Sequence, residues 1–156
     1  MEPIPSNAEK ELQEVRRRWM SVLAEADSED LQSFWERYEP KPAYAVVHGP
    51  EVGLLMIQAR IGGEGERFYV GEATVTRCSV RVREGRLGTA MVLGRRPRHA
   101  EIAAVLDAQL QDPRKREHLM ATFVDPLWRR KQEAERREAG RVASTRVEFM
   151  TLVRGE

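Results

Sequence analysis

The sequence predicts an α+β fold: an antiparallel sheet of about four to five strands with N-terminal and C-terminal helices packed against it. Apolar residues recur at helical spacing near both ends of the chain, whereas between about Ala43 and Gly94 they alternate with a period of two. The connections between the alternating segments are short, and a parallel pair would need a crossover of about a dozen residues. The chain has 156 residues and no linker, repeat or low-complexity tract. We therefore expect a single domain over residues 1–156, with residues 1–14 as a partly flexible extension.

Two helices are predicted at the N-terminal end. Ser6 and Glu9 have the spacing of a capping box, which marks the start of the first helix. The second helix is expected to start at Asp27 and to end before the segment Pro40-Lys41-Pro42, because proline disfavours helical geometry in the residue before it. The apolar positions at helical spacing are Leu12, Val15, Trp19, Val22, Leu23 and Ala26 in the first helix, and Leu31, Phe34, Trp35 and Tyr38 in the second.

The middle of the chain is predicted to form strands. Residues 44–47 and 54–61 are expected to be separate strands, divided by a turn at Gly49-Pro50-Glu51-Val52-Gly53. Residues 68–82 and 87–93 follow as two further strands around a hairpin turn at Glu84-Gly85. Within 68–82, Thr74, Thr76, Cys78, Val80 and Val82 would face one side, and Val75, Arg77, Ser79, Arg81 and Arg83 the other.

Helices are predicted again after residue 96, followed by a last strand. Pro97 suits a first helical position, and Asp112-Pro113 and Asp125-Pro126 each resemble an N-cap followed by proline. The last helix is expected to end at Gly140. Residues 146–154 alternate as a strand that is apolar on both faces, so it is either central in the sheet or covered by another subunit. Its candidate partner-interface residues are Phe149, Met150 and Leu152.

The glycine-rich stretch Gly62-Gly63-Glu64-Gly65 is predicted to be a hairpin turn. A phosphate-binding loop needs a strand before the glycines and a helix after them, and here a strand follows. Glu64 and Glu66 would also repel an anion, although Arg60 and Arg67 could offset them. We interpret the glycines as residues that supply positive φ in the turn.

Charge is distributed unevenly along the chain. The formal net charge is +1, yet residues 1–40 carry ten acidic and five basic side chains, while residues 77–98 carry seven arginines and one glutamate. Of the 26 basic residues, 22 are arginines, whose planar fork suits bidentate contact with phosphate, phosphonate or carboxylate. Leu93–Glu101 concentrates Arg95, Arg96, Arg98 and His99 at a strand end and helix start, which is either an anion site or a solvated basic turn. No aromatic residues are interleaved with these arginines, which disfavours single-stranded nucleic acid as a ligand.

Other site classes find little support in the sequence. The soft metal ligands His48, His99, His118 and Cys78 have no paired spacing, so we expect no metal site. No serine lies in a nucleophile elbow. A single cysteine fits a reducing compartment, the acidic and proline-broken start is unlike a secretory signal, and no apolar run could span a membrane. We expect a cytoplasmic protein that binds neither membrane nor nucleic acid.

Several motifs carry a resemblance to a known family. They are Arg18–Ala24, Gln58–Phe68, Gly71–Arg77, Val92–Arg95, His99-Ala100-Glu101 and Arg146–Gly155. Taken in this order, the chain resembles the PhnG subunit of the bacterial carbon–phosphorus lyase system from about Val15 to the C-terminus. It departs from that pattern in its N-terminal extension, in Met150 where an aromatic residue is more usual, and in a weak match over residues 112–140.

The resemblance implies a part in phosphonate catabolism. With PhnH-, PhnI- and PhnL-like proteins, a PhnG-like subunit displaces adenine from MgATP with an alkylphosphonate such as methylphosphonate, giving α-D-ribose 1-methylphosphonate 5-triphosphate. A larger assembly includes a PhnJ-like subunit. The resemblance assigns catalysis mainly to the PhnI-like partner, so we expect no independent activity and no cofactor bound by this chain itself.

The residues leave three functions open. The chain could contribute to a shared site, and its candidate substrate- or anion-binding residues are then Arg60, Arg67, Arg77, Arg95 and His99. It could instead be a purely structural subunit that stabilises the PhnI-like partner without touching substrate. The third alternative is an independent anion- or nucleic-acid-binding module. The first two predict poor behaviour or self-association of the chain alone, because a missing partner would leave apolar surface exposed.

Overall fold

The computed structural model describes residues 5–60 and 64–145. The described elements, in chain order, are α1 (Asn7–Glu25), α2 (Ser28–Arg37), β1 (Tyr44–Arg60), β2 (Arg67–Val82), β3 (Leu87–Leu93), α3 (Pro97–Leu110), α4 (Pro113–Leu119) and α5 (Asp125–Thr145). A π-helical turn, Met120–Val124, joins α4 to α5. The α+β prediction is confirmed. The flexibility expected of residues 1–14 stays a prediction, although α1 already covers residues 7–14.

Local capping chemistry starts the first helices where the sequence predicted. The Ser6 hydroxyl accepts from the Glu9 amide, and the Glu9 carboxylate accepts from the Ser6 amide at 2.6 Å. The Asp27 carboxylate accepts from two amides at the start of α2, and the Asp112 carboxylate accepts from the Arg114 amide at the start of α4. Pro97 is the first residue of α3. These groups satisfy backbone donors that have no partner inside the helix.

The sheet in the described part of the chain has three antiparallel strands in the order β1-β2-β3. The prediction of about four to five strands was therefore too high for these residues. Two predicted strands, 44–47 and 54–61, are halves of the single long strand β1. The predicted terminal strand 146–154, with its interface candidates Phe149, Met150 and Leu152, lies outside the described residues.

The expected turn at Gly49–Gly53 is instead an irregular stretch inside β1. Register with β2 shifts between Val46 and His48 and again between His48 and Glu51, and Gly49 has φ +77°. A Cβ atom at Gly49 would lie 2.4 Å from the Arg77 carbonyl oxygen, so glycine permits the close approach of the two backbones. Because β2 is 16 residues long, it continues to pair with β1 on both sides of this bulge. Gly49 and Pro50 therefore belong to a bulge within one strand, whereas the sequence pattern alone indicated a turn between two strands.

The C-terminal helices are also more continuous than the sequence predicted. Asp125 is the first residue of α5 and has helical φ and ψ, so it is not an N-cap, because the π-helical turn carries the backbone directly from α4 into α5. A π-turn is one of the ways in which a helix accommodates a local irregularity such as proline. The Asp125 carboxylate instead forms an ion pair with Arg18 of α1. Gly140 does not end α5, which continues to Thr145.

The core is built around α3. This helix packs against β2 and β3 on one side and against α1, α2 and α4 on the other, and its residues from Ile102 to Leu110 are all buried. Gly88 allows the sheet to approach α3 closely, since a Cβ atom there would lie 1.9 Å from the Ala104 carbonyl oxygen. The packing therefore gives the sheet an inner face, covered by helices, and an opposite outer face.

A buried carboxylate ties three elements of this core together. Asp107 of α3 is fully buried and accepts from the Arg16 guanidinium at 2.9 Å, from the Trp19 indole at 2.8 Å and from the Thr89 amide at 3.0 Å. Asp107 thus forms an ion pair with Arg16, and the hydrogen bond to Asp107 is the main cause of a raised pKa of Arg16.

Candidate interaction surface and anion-binding residues

The structure distributes the five predicted anion-binding residues over three separate places. Arg60 and Arg67 are direct partners in the β1–β2 register, so they lie opposite each other at the end of the hairpin. Arg77 lies farther along β2, on the exposed side, and its guanidinium lies 3.7 Å from where a Cβ atom of Gly53 would be. Arg95 and His99 lie at the start of α3.

The Arg60–Arg67 pair is too far from Arg95 for one small ligand to contact both. The Gly94 amide donates to the Thr74 carbonyl at 2.7 Å, which puts Arg95 beside residue 74 of β2. A strand rises about 3.4 Å per residue, so the Arg60–Arg67 pair is more than about 20 Å from Arg95. A partner protein is large enough, however, to contact both the Arg60–Arg67 pair and Arg95.

His99 is buried and fully engaged. It is 4% exposed, its Nε2 is 2.7 Å from the Leu23 carbonyl oxygen, and its Nδ1 is 2.9 Å from the Ser28 hydroxyl. Burial is the main cause that lowers the pKa of His99 below its ordinary value, and the positive charge of Arg96 adds to the effect. The side chain links the end of α1 to the start of α2. In this arrangement both ring nitrogens of His99 already have protein partners.

A groove of about 620 Å³ lies where α2 meets the start of α3, and we call it the α2–α3 groove. It is lined by Arg96, which immediately precedes α3, by Arg98 of α3, and by Glu29 and Glu36 of α2. No side chain caps the start of α3, where backbone amides lack intrahelical partners. Arg95 is exposed, and in the sequence it immediately precedes Arg96, which lines the groove. The site can attract an anion through arginine and amide groups, although its two glutamates oppose this.

Buried Thr76 fixes the turn that carries these arginines. Its hydroxyl donates to the Gly94 carbonyl at 2.6 Å and accepts from the Arg96 amide at 2.9 Å. The positive φ of Gly94, +86°, completes the change of direction from β3 into α3. The positions of Arg95 and Arg96 are therefore determined by the sheet, which the sequence pattern did not predict.

A second groove, of about 560 Å³, lies between α2 and α4. It combines Arg37, Arg114 and His118 with the aromatic rings of Phe34 and Tyr38. The Arg114 guanidinium is already 3.4 Å from the Asp112 carboxylate. Its cations are spread over two distant segments of the sequence, so only the fold brings them together.

The largest feature that the sequence did not single out is a two-stranded projection of the sheet. We call residues 54–60 of β1 and 67–74 of β2 the distal ribbon; they pair with each other through Leu54↔Thr74 to Arg60↔Arg67. Within the described residues, β3 extends only as far as Val75↔Leu93, so the distal ribbon has no third strand. Its exposed large apolar residues are Leu54, Leu55, Met56, Ile57, Phe68, Tyr69 and Val70.

Both faces of the distal ribbon carry exposed apolar residues. Residues paired directly across an antiparallel sheet lie on the same face. Leu55, Ile57 and Phe68 therefore share one face, while Leu54, Met56 and Tyr69 share the other. Leu54 is 63% exposed and Tyr69 61% exposed. The signal was present in the sequence as the run Leu-Leu-Met-Ile at 54–57, which lacks the polar positions of a strand with one wet face.

The outer face of the main sheet continues this exposed surface. Met91 and Leu93 of β3, which are paired with Arg77 and Val75 of β2, are exposed. Leu87 and Arg81 form the next exposed pair along the sheet. On this face Leu87, Met91, Leu93, Arg77 and Arg81 are exposed, whereas Val75 is buried.

Groups for other chemistry are sparse in the described part of the chain. Within residues 5–60 and 64–145, no group of three or more His, Cys, Asp or Glu side chains is arranged to hold a metal ion. Cys78 is buried, and burial raises the pKa of its thiol. Among the helices of the described residues, none has the length and apolar character required to cross a membrane.

Comparison with known proteins identifies the family. The family model described as phosphonate metabolism protein PhnG matches residues 14–155. The chain is also 41% identical, over 141 residues that make up 90% of each protein, to the α-D-ribose 1-methylphosphonate 5-triphosphate synthase subunit PhnG of Rhizobium meliloti (strain 1021). The resemblance carried by the sequence motifs is thereby confirmed. The chain belongs to the PhnG family of phosphonate metabolism proteins.

Proposed function

We propose that this chain is a non-autonomous subunit of an α-D-ribose 1-methylphosphonate 5-triphosphate synthase in a carbon–phosphorus lyase system. It would act with PhnH-, PhnI- and PhnL-like partners in the cytoplasm, and in a larger assembly with a PhnJ-like subunit. One observation carries the proposal. A relative named as this synthase subunit is 41% identical to the chain over 90% of its length. The distal ribbon supports it, because a subunit should have apolar surface that only a partner covers.

The reaction proposed for the complex exchanges one substituent at the ribose of MgATP. A phosphonate oxygen forms a bond to the anomeric carbon, the bond from that carbon to adenine breaks, and adenine leaves with a proton. The triphosphate remains on the ribose. Both substrates are multiply anionic, so arginine guanidinium groups can orient them and neutralise charge. MgATP is a substrate of the complex in this scheme, and this chain binds no cofactor of its own.

Within that scheme we assign Arg95 to contact with an anionic substrate group. It is exposed beside the uncapped start of α3, where Arg96 and Arg98 add positive charge. His99 would support this region through its contacts with Ser28 and the Leu23 carbonyl, which hold α1 and α2 against α3. Arg60, Arg67 and Arg77 lie on the sheet, and we assign them to partner contacts.

A purely structural role is the competing function. It is favoured by the wide separation of the candidate arginines and by the engagement of both ring nitrogens of His99. In that case the chain would stabilise the PhnI-like partner and touch no substrate.

Adenine release by the co-expressed PhnG-, PhnH-, PhnI- and PhnL-like proteins distinguishes these functions. Omission of this chain should abolish activity under both. If Arg95 touches substrate, Arg95→Ala should lower adenine release at least tenfold while the complex still assembles. If the chain is purely structural, Arg95→Ala should leave adenine release unchanged. Arg129→Ala, at an exposed arginine of α5, is the matched control. Full activity of Arg95→Ala would support the structural role, and full activity without this chain would overturn both.

A further inference from the structure

We propose that the distal ribbon and the adjoining outer sheet face form the docking surface for a partner protein whose own surface is apolar and carries carboxylates opposite the arginines. The inference rests on the proposed function, in that it requires a partner subunit, and it assigns the part of this chain that the partner covers. The occupant is a different protein, and a second copy of this chain is the alternative that the test must exclude.

The extent of uncovered apolar surface is the first argument. The seven large apolar side chains of the distal ribbon are each at least 40% exposed. Together they expose on the order of 700 Å² over the two faces of the distal ribbon, and exposed apolar surface of a few hundred Å² or more marks interaction sites. A standard interface buries about 800 Å² on each partner. The distal ribbon with Leu87, Met91 and Leu93 therefore has the area that a stable protein interface needs.

The architecture of the distal ribbon is the second argument. A two-stranded hairpin is at best marginally stable in water, and stability normally requires a third strand or a helix against one face. Here both faces carry exposed apolar residues, and no described element covers either of them. A partner that encloses the distal ribbon would supply the missing contact on both sides.

Charge selects the kind of partner. Arg60 and Arg67 lie directly opposite each other on one face, where like charges destabilise a strand pair. On the outer face Arg77 and Arg81 are exposed between apolar residues, and neither forms an ion pair within the described residues. Glu51 is opposite Arg77 in register, but its carboxylate lies 2.7 Å from His48 Nε2. Carboxylates on the partner would therefore find guanidinium groups available.

The same arginines argue against a second copy as the occupant. A twofold dimer places the same patch against itself, so two identical distal ribbons would bring Arg60 and Arg67 of both copies together. Glu72, opposite Met56, is the one acidic residue among the described strand residues of the distal ribbon, and Glu64 and Glu66 precede β2 outside the paired strands. An acidic and apolar partner surface relieves the repulsion that a second copy would increase.

Co-purification with a tagged PhnI-like partner tests the docking surface. The triple variant Leu54→Thr/Met56→Thr/Tyr69→Thr keeps residues suited to strands while removing apolar area. We expect it to lower the affinity for the partner at least tenfold, with the helical circular dichroism and the thermal unfolding midpoint unchanged. Leu12→Gln, on a helix residue that is 41% exposed, is the matched control and should bind normally.

A charge-reversed pair tests the complementarity. Arg60→Glu/Arg67→Glu should lower the affinity at least tenfold at low salt, and the loss should shrink as salt screens the repulsion. Arg129→Glu, on the exposed side of α5, should have no effect. Normal binding by both the triple variant and the charge-reversed pair would overturn the docking surface while leaving the proposed function intact.

Two further outcomes distinguish the remaining cases. Failure of the unaltered chain to bind any of the PhnH-, PhnI-, PhnJ- and PhnL-like proteins would contradict the proposed function itself. A stable dimer of the chain alone, abolished by the triple variant and unaffected by the partner, would show that a second copy occupies the surface and would overturn the inference.

Discussion

Trp19 and Leu54 are both large apolar side chains, yet the first is fully buried and the second is 63% exposed. Trp19 belongs to the helical half, in which α1, α2 and α4 enclose α3 against the inner face of the sheet. Leu54 belongs to the distal ribbon, which extends past this layer with apolar residues on both faces. The two regions contain similar apolar residue types, but the helical half buries them and the distal ribbon exposes them.

The difference shows which part of the chain can fold without help. In the helical half the buried Asp107 carboxylate is satisfied internally, through its contacts to Arg16 and Trp19. In the distal ribbon, hydrogen bonds between β1 and β2 are made, but the side chains lack neighbours. Stability should therefore depend on the helical half, and assembly on the distal ribbon.

The largest effect is expected at the buried carboxylate. Asp107→Ala would leave the Trp19 indole and the Thr89 amide without an acceptor and the Arg16 guanidinium without its counterion. Leaving a donor without an acceptor in the protein interior costs about 1–3 kcal/mol for each group, whereas the Arg16 side chain, which is 37% exposed, can be rehydrated. The urea midpoint of unfolding should fall accordingly. Asp107→Asn, which keeps an acceptor oxygen, should lose less, and equal midpoints for Asp107→Ala and the unaltered chain would contradict this account of the core.

A pair of glycine substitutions compares the two regions directly. Gly88→Ala should lower the free energy of unfolding by about 1–3 kcal/mol, because overpacking forces the backbone to shift. Its Cβ atom would lie 1.9 Å from the Ala104 carbonyl oxygen, whereas a Cβ atom at Gly71 in the distal ribbon would have no neighbour within 4 Å. Gly71→Ala is therefore the control and should leave the midpoint unchanged. Equal losses for the two variants would mean that the sheet does not approach α3 as closely as described.

Acidification should weaken the helical half through His99. Burial lowers the pKa of His99 in the folded chain below its ordinary value of 6.5, so the unfolded chain binds the extra proton first. The stability contributed by neutral His99 is present above that value and is lost as pH falls from 6.5 to the folded pKa. Urea unfolding at pH 7.5 and 5.5 measures the loss. In His99→Gln the pH dependence over this window should be reduced, and an unchanged slope would contradict the assignment.

The smallest effect on folding is expected in the distal ribbon. Leu54→Thr should change the free energy of unfolding of the isolated chain by no more than about 0.5 kcal/mol, as is usual for exposed positions. Leu106→Ala, in the fully buried centre of α3, should cost about 2–5 kcal/mol by comparison. A large loss for Leu54→Thr would show that the distal ribbon already has a cover within the chain.

Local signals in the sequence predicted much of the fold. Ser6, Asp27 and Asp112 cap helices where their side chains indicated, and Glu84-Gly85 forms the expected hairpin turn, with φ +93° at Gly85. Capping and tight turns depend on residues that are neighbours in the chain, so sequence patterns contain the necessary information.

Features that depend on distant residues were not predictable in the same way. Gly49 permits a bulge because β2 is long enough to pair on both sides of it, and the residue types around Gly49 cannot reveal this. The alternating arginines were recognised, but only the strand register shows that Arg60 faces Arg67 and lies far from Arg95. His99 was expected to donate to a ligand, and its contacts with Ser28 and Leu23 come from elements about 70 residues away in sequence.

Hydrogen exchange of the chain, free and bound to the PhnI-like partner, tests most directly whether the distal ribbon is where assembly occurs. In the free chain, amides of residues 54–60 and 67–74 should exchange faster than those of α3, because few contacts hold the hairpin closed. Partner binding should slow exchange in the distal ribbon and leave α3 unchanged. Slowing confined to the helices, with the distal ribbon exchanging as fast as before, would contradict the account.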